Sequence, residues 1–115
     1  MALLPGATVQ KKGLRVSPEK MARAANVVRR LPLFKALEAL EARKDRASRL
    51  LLALIREAAH NAEHNLEIPS GGLRVDRVEV GSGPRLRRFR PQPHGRAHPY
   101  RRSTAYVKVA LGKEG

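Results

Sequence analysis

Between Pro18 and Asn65 the apolar residues recur at helical spacing in three blocks, and beyond Gly72 the period shortens to that of strands. Ser17-Pro18-Glu19 is a strong helix start: a capping hydroxyl, a proline suited to the first helical position and an acidic side chain that complements the dipole. Met21, Ala24, Ala25, Val28 and Leu31 then share one face, with Lys20, Arg23 and Arg30 on the other. Pro32 interrupts this helix near its end. Leu33–Arg43 reads as a second, shorter helix with Leu33, Leu37 and Leu40 aligned and Phe34 beside them. Asp45 or Ser48 caps a third, running to about Asn65, whose Leu50, Leu51, Leu54, Ile55, Ala58 and Ala62 form a stripe wide enough for the centre of a core.

The strand signals flank this helical region. Thr8–Val16 mixes Val9, Leu14 and Val16 with Lys11, Lys12 and Arg15, the pattern of a short basic edge strand or arm. In Leu73–Val80, Leu73 and Val75 share one face, but Val78 and Val80 fall in the other phase. A bulge near Asp76–Arg77 would reconcile them, and so would a strand packed on both sides. In Tyr106–Leu111, Val107, Val109 and Leu111 alternate cleanly. The economical topology pairs these last two strands antiparallel, joined by a long protruding hairpin or loop.

That connection changes the picture. Gly81–Thr104 holds seven arginines and no acidic residue, so it supplies +7 of the net +14 of this 115-residue chain. Such a segment cannot bury itself, and its self-repulsion calls for a polyanion. An isolated two-stranded ribbon is marginal in water, so the arm is expected to be mobile alone and ordered by its partner. The division expected is a single domain over 1–115, with a body at 8–80 and 105–111 and the basic arm at 81–104.

Composition narrows the classes further. A pI near 11.5 lies in the range of nucleic-acid binders. Phe34, Phe89, Tyr100 and Tyr106 are the four aromatics, so the core is aliphatic and stacking platforms are sparse, which disfavours a reader of stacked single-stranded bases. With no cysteine there is neither a disulfide framework nor a thiolate zinc site. The longest apolar run, Leu50–Ile55, is far short of the ~20 residues of a membrane span. The first residues do not form a signal peptide, which sets the expectation of a cytoplasmic protein without membrane contact.

Arginine grips phosphate through a planar fork of donors and also stacks on bases. Seven such groups on an arm stiffened by Pro84, Pro91, Pro93 and Pro99 can enter between RNA helices where a compact domain cannot. No helix carries a set of major-groove readers, and no zinc-finger or RNA-recognition signature is present, which favours recognition of folded RNA through backbone and shape. Composition alone leaves RNA and DNA near even.

Four motifs suggest other chemistry. His60-Asn-Ala-Glu-His64 matches the H-x-x-E-H of inverted zinc proteases, and on a helix both histidines would share a face beside Glu63. Such a site also needs a third ligand and a substrate cleft, so polar groups at a helix end are the simpler reading, as for Asn61 and Asn65. Ser17-Pro-Glu-Lys20 matches the S-x-x-K of serine acyl-enzymes, but helix capping explains it locally. Gly81-Ser-Gly83 lacks the following helix of a phosphate-cradling loop. His94 and His98 sit in a proline-broken arm and read as RNA contacts. No catalytic residue, metal ligand or cofactor is expected.

The spacing Gly83-Pro84-x-Leu86-Arg87-Arg88-x-x-Pro91-x-x-x-Gly95-Arg96-Ala97 resembles the hairpin signature of the bacterial large-subunit ribosomal protein twenty-two family. The resemblance extends to Ala58 and Asn61-Ala-Glu-His-Asn65, and to Ser17-Pro18-x-Lys20. It implies an α+β fold of three helices on a small three-stranded antiparallel sheet, with Thr8–Val16 as the third strand and a long protruding β-hairpin arm. It implies a non-enzymatic structural constituent of the large ribosomal subunit that binds its RNA, supports assembly and lines the nascent-peptide exit tunnel.

On that footing the expected RNA-binding set is Lys11, Lys12, Arg15, Lys20, Arg23, Gly83, Pro84, Arg85, Arg87, Arg88, Arg90, Arg96, Arg101 and Arg102. Gln92, Pro93, His94 and Gly95 would line the tunnel. Large-subunit ribosomal RNA, neighbouring ribosomal proteins and the nascent peptide are the expected partners, in the cytoplasm or an organellar ribosome. Three departures stand out: Gln92 and His94 replace usual basic residues at the tip, Arg102-Ser-Thr-Ala-Tyr106 replaces a Lys-Arg-Thr-Ser-His run, and Ala22 replaces a first-helix arginine. The competing reading is a free-standing basic nucleic-acid chaperone or nucleoid-type protein.

Overall fold

A computed structural model gives the architecture; it describes residues 3–68, 72–82, 86–91, 97–102 and 104–113, the strands of the arm as backbone. The order is β1 (Leu3–Leu14), α1 (Pro18–Val28), α2 (Leu33–Ala42), α3 (Arg46–Leu66), β2 (Leu73–Ser82), β3 (Leu86–Pro91), β4 (Ala97–Arg102) and β5 (Ala105–Lys113). β5 is the centre of an antiparallel sheet ordered β1-β5-β2, while β3 and β4 pair with each other. The expected α+β fold, three helices on a three-stranded antiparallel sheet, is the one observed.

The helix signals act locally. Ser17 Oγ accepts the Lys20 backbone N–H at 3.3 Å and Pro18 opens α1. Of the two candidate caps, Asp45 serves α3, accepting the Ser48 N–H at 3.2 Å. Met21, Ala24, Ala25 and Val28 of α1 are buried as their spacing requires. α1 ends at Val28, however, three residues before Leu31. Arg30 there takes a left-handed φ of 64°, its N–H donates to the Val75 carbonyl at 2.8 Å, and Val75 N–H donates to Leu31 at 2.9 Å. Pairing with a strand, a contact invisible in local periodicity, thus stops the helix early.

The core is built around α3. Leu51, Leu54, Ile55, Ala58 and Ala62 are buried against β1 and β5, flanked by α1 and α2. The stripe is displaced slightly from expectation: Leu50 is half-buried, while Ala47, Leu52 and Ala59 are buried. On α2, Ala36 is buried between Leu33 and Leu40, Leu37 is half-buried, and Phe34 is 61% exposed.

β2 carries the expected bulge. Val75 faces Leu111 and Arg77 faces Ala110, leaving Asp76 unpaired with β5. The extra residue returns Val78 to the buried face of Leu73 and Val75, because one added residue inverts the two-residue alternation. β1 is longer than expected, starting at Leu3, and ends at Leu14, before Val16. Its register with β5 shifts between Lys11 and Leu14, where Gly13 takes φ 71°, a conformation that strains any residue with a side chain. The fold is elongated, 63 × 26 × 20 Å, with a radius of gyration of 17.0 Å against about 13 Å for a compact chain of this length.

Candidate nucleic-acid interface

The arm is a two-stranded sheet of its own, apart from the three-stranded sheet of the body. β2 and β5 pair out to Ser82 opposite Ala105, and β3 and β4 resume with Leu86 opposite Arg102. β3 and β4 each run six residues, about 20 Å at strand rise. Between Ser82–Ala105 and Leu86–Arg102 one limb gains four residues and the other three, so the register steps by one where the arm leaves the sheet.

Register decides how the arm's charges meet. Arg87 stands opposite Arg101, Arg88 opposite Tyr100 and Arg90 opposite His98. Like charges at directly opposed positions weaken strand pairing, and the register puts Arg87 and Arg101 at such positions. Gly83, Pro84, Arg85, Gln92, Pro93, His94, Gly95 and Arg96 lie outside the described residues.

The body adds a second group of cations. Lys11 and Lys12 are exposed on edge strand β1, where lysines also block pairing with other chains. The Gly13 shift, followed by a tight Val16 N–H to Leu14 carbonyl bond of 2.8 Å, turns the chain from β1 into α1. Arg15 thereby joins Lys20 and Arg23 of α1 along a cleft of about 590 Å³. Arg43 and Arg46, at the α2–α3 junction, complete five cations around it.

Asp45 is the cleft's carboxylate and is fully engaged. It accepts from Ser48 Oγ at 2.9 Å and pairs with Arg43 Nε at 3.3 Å. The hydrogen bond from the Ser48 side chain above all holds its carboxyl below the usual range; desolvation opposes this, and the backbone N–H groups of Ser48 and Asp45 and the charge of Arg43 add smaller effects in the same lowering direction. Arg15, Arg23 and Arg46 make no side-chain hydrogen bond or ion pair with other described residues. Sequence reasoning found Arg15, Lys20 and Arg23 but missed Arg43 and Arg46, because only helix packing brings that junction to the start of α1. The available signal was Arg43-Lys-Asp-Arg46, a basic run around a helix cap.

His60 and His64 are exposed neighbours on α3 with ring centroids 4.2 Å apart. They lie toward the C-terminal end of α3, His64 in its last turn before Leu66, as expected of polar groups at a helix end. Among the described residues no three His, Cys, Asp or Glu side chains are placed to hold a metal ion, and no helix is long and apolar enough to cross a membrane.

A family model described as Ribosomal protein L22p/L17e matches residues 9–112. The Large ribosomal subunit protein uL22 of Thermomicrobium roseum is 38% identical over 98 residues, covering 85% of this chain and 83% of the relative. That of Rippkaea orientalis is 38% identical over 101 residues, covering 88% and 84%. The Large ribosomal subunit protein uL22c of Cryptomeria japonica is 37% identical over 100 residues, covering 87% and 79%. The match takes in the helical body, both sheet edges and the arginine arm together, and on that evidence the chain belongs to the ribosomal protein L22p/L17e family, structural proteins of the large ribosomal subunit rather than enzymes.

Proposed function

We propose that this protein binds large-subunit ribosomal RNA through two poles, the arm and the basic cleft of the body, and supports assembly of the subunit around them. The observation that carries this reading is the register of the arm, with Arg87 opposite Arg101 on a two-stranded ribbon whose strands are each six residues, about 20 Å, long. A ribbon of that charge gains stability when phosphates line both of its sides. On the arm, Gly83, Pro84, Arg85, Arg87, Arg88, Arg90, Arg96, Arg101 and Arg102 are the RNA-binding positions. On the body they are Lys11, Lys12, Arg15, Lys20 and Arg23. Gln92, Pro93, His94 and Gly95 line the exit tunnel and face the nascent peptide. With Gln92 and His94 replacing cations, the limbs rather than the tip supply the binding energy.

High-salt sucrose sedimentation of a lysate tests the reading, with one copy per large subunit as the expected result. A free-standing chaperone would instead spread through the gradient and bind DNA and RNA alike. Replacing Arg87, Arg88, Arg101 and Arg102 with glutamine should reduce occupancy in the large subunit; full occupancy of that variant would remove the arm as an anchor.

A further inference from the structure

On the far side of Arg43 from the basic cleft lies a second concavity of about 420 Å³, between α2 and α3, lined by Leu40, Glu41, Arg43, Lys44, Arg49, Leu52 and Arg56. Leu40 and Leu52 are buried. Four cations meet one carboxylate, and Glu41 is held by Arg56 in an ion pair. Lys44 and Arg49 are exposed and make no side-chain hydrogen bond or ion pair with other described residues. None of these four cations belongs to the arm or to the first-helix motif.

The spacing of the cations selects the ligand. Arg49, Leu52 and Arg56 fall at i, i+3 and i+7 on α3, so the two arginines are separated by about 10.5 Å along the helix axis. They cannot converge on one small anion, but they suit successive anionic groups on a polymer. Arg43 lines both concavities, so the cationic surface runs from the cleft around the α2–α3 corner into the groove. Arginine is already anchored at both ends of the groove, Arg43 by Asp45 and Ser48 and Arg56 by Glu41, which lowers the ordering cost of binding.

We infer that the α2–α3 groove is a further contact for the phosphate backbone of RNA, with Lys44 and Arg49 as its free phosphate-binding groups. The inference rests on the RNA-binding function proposed above and extends it past Arg43 to Lys44 and Arg49, which belong to neither the arm nor the cleft.

The test compares the intact chain, the double variant Lys44→Gln/Arg49→Gln and an arm variant Arg87→Gln/Arg88→Gln. Each is titrated at several salt concentrations against a large-subunit ribosomal RNA transcript. Thermal melts confirm that the groove variant remains folded, as expected where neither side chain has an internal partner. Loss of two phosphate contacts should make the slope of log affinity against log salt shallower by roughly 1.4–1.8, at 0.7–0.9 per contact. A groove variant with the slope and affinity of the intact chain, beside a weakened arm variant, overturns this inference and leaves the proposed function standing. An intact chain that does not bind the transcript overturns both. If the groove variant binds RNA normally but fails to enter large subunits, the groove serves an acidic protein neighbour and the inference is equally overturned.

Discussion

Asp45 shows how one side chain links folding to the surface chemistry around it. Its carboxylate caps α3, accepts the Ser48 hydroxyl and holds Arg43 at the edge of both basic concavities. Because its folded pKa is depressed, its stabilising effect is complete above the unfolded value of about 3.9 and disappears as pH falls through the folded one. Asp45→Ala should therefore cost about 1 kcal/mol near neutral pH, with the gap to the parent closing below about pH 4, as read by urea unfolding across pH. Arg30 gives a second residue-scale expectation. At φ 64° a β-branched side chain is strained and glycine is not, so Arg30→Gly should be more stable than Arg30→Val by about 1–2 kcal/mol in the same assay. The Ser17 cap was legible from Ser-Pro-Glu alone, since capping is settled within one turn. The left-handed Arg30 was not, because its conformation depends on a hydrogen bond to Val75, forty-five residues on.

Among the elements, β2 carries the clearest test of register. Its apolar pairs Leu73/Val75 and Val78/Val80 are out of phase in the chain, and the single residue Asp76 brings Val78 onto the buried face of Leu73 and Val75. Deleting Asp76 should drive Val78 toward the outer face and lower the melting temperature sharply, whereas Asp76→Ala, which removes only a side chain paired with Arg74 at 3.4 Å, should have a small effect. Periodicity alone left two solutions here, a bulge or a strand buried on both faces; pairing with β5 decided between them. β1 shows the opposite limit. Its basic, weakly alternating sequence marked an edge strand, but its start at Leu3 depends on how far β5 extends opposite it. Phe34 was placed beside the helix stripe by spacing, yet it lies exposed, because the close packing of α2 uses Ala36 rather than the larger ring.

Across the whole molecule, the burial that holds the fold together is concentrated in the body. The three helices and the β1-β5-β2 sheet bury a continuous aliphatic core among themselves, so removing residues 86–97 should leave the body folded and impair incorporation into ribosomes. Small-angle scattering should then give a radius of gyration nearer about 13 Å than the 17.0 Å of the intact chain, with the melting temperature retained. Loss of the folded body in that variant would mean that the arm contributes to the core. The charge of the arm, its lack of core-forming residues, the helix caps and the helical stripes could all be read along the chain, because each rests on neighbours within a few residues. The two concavities could not. Arg15, Lys20 and Arg23 come together with Arg43 and Arg46 only when β1, α1 and the α2–α3 corner pack on one another, and Arg49 reaches the same corner by helix geometry. Cations scattered over some forty residues repel each other in the open chain, and it is the buried aliphatic core that holds them on one surface.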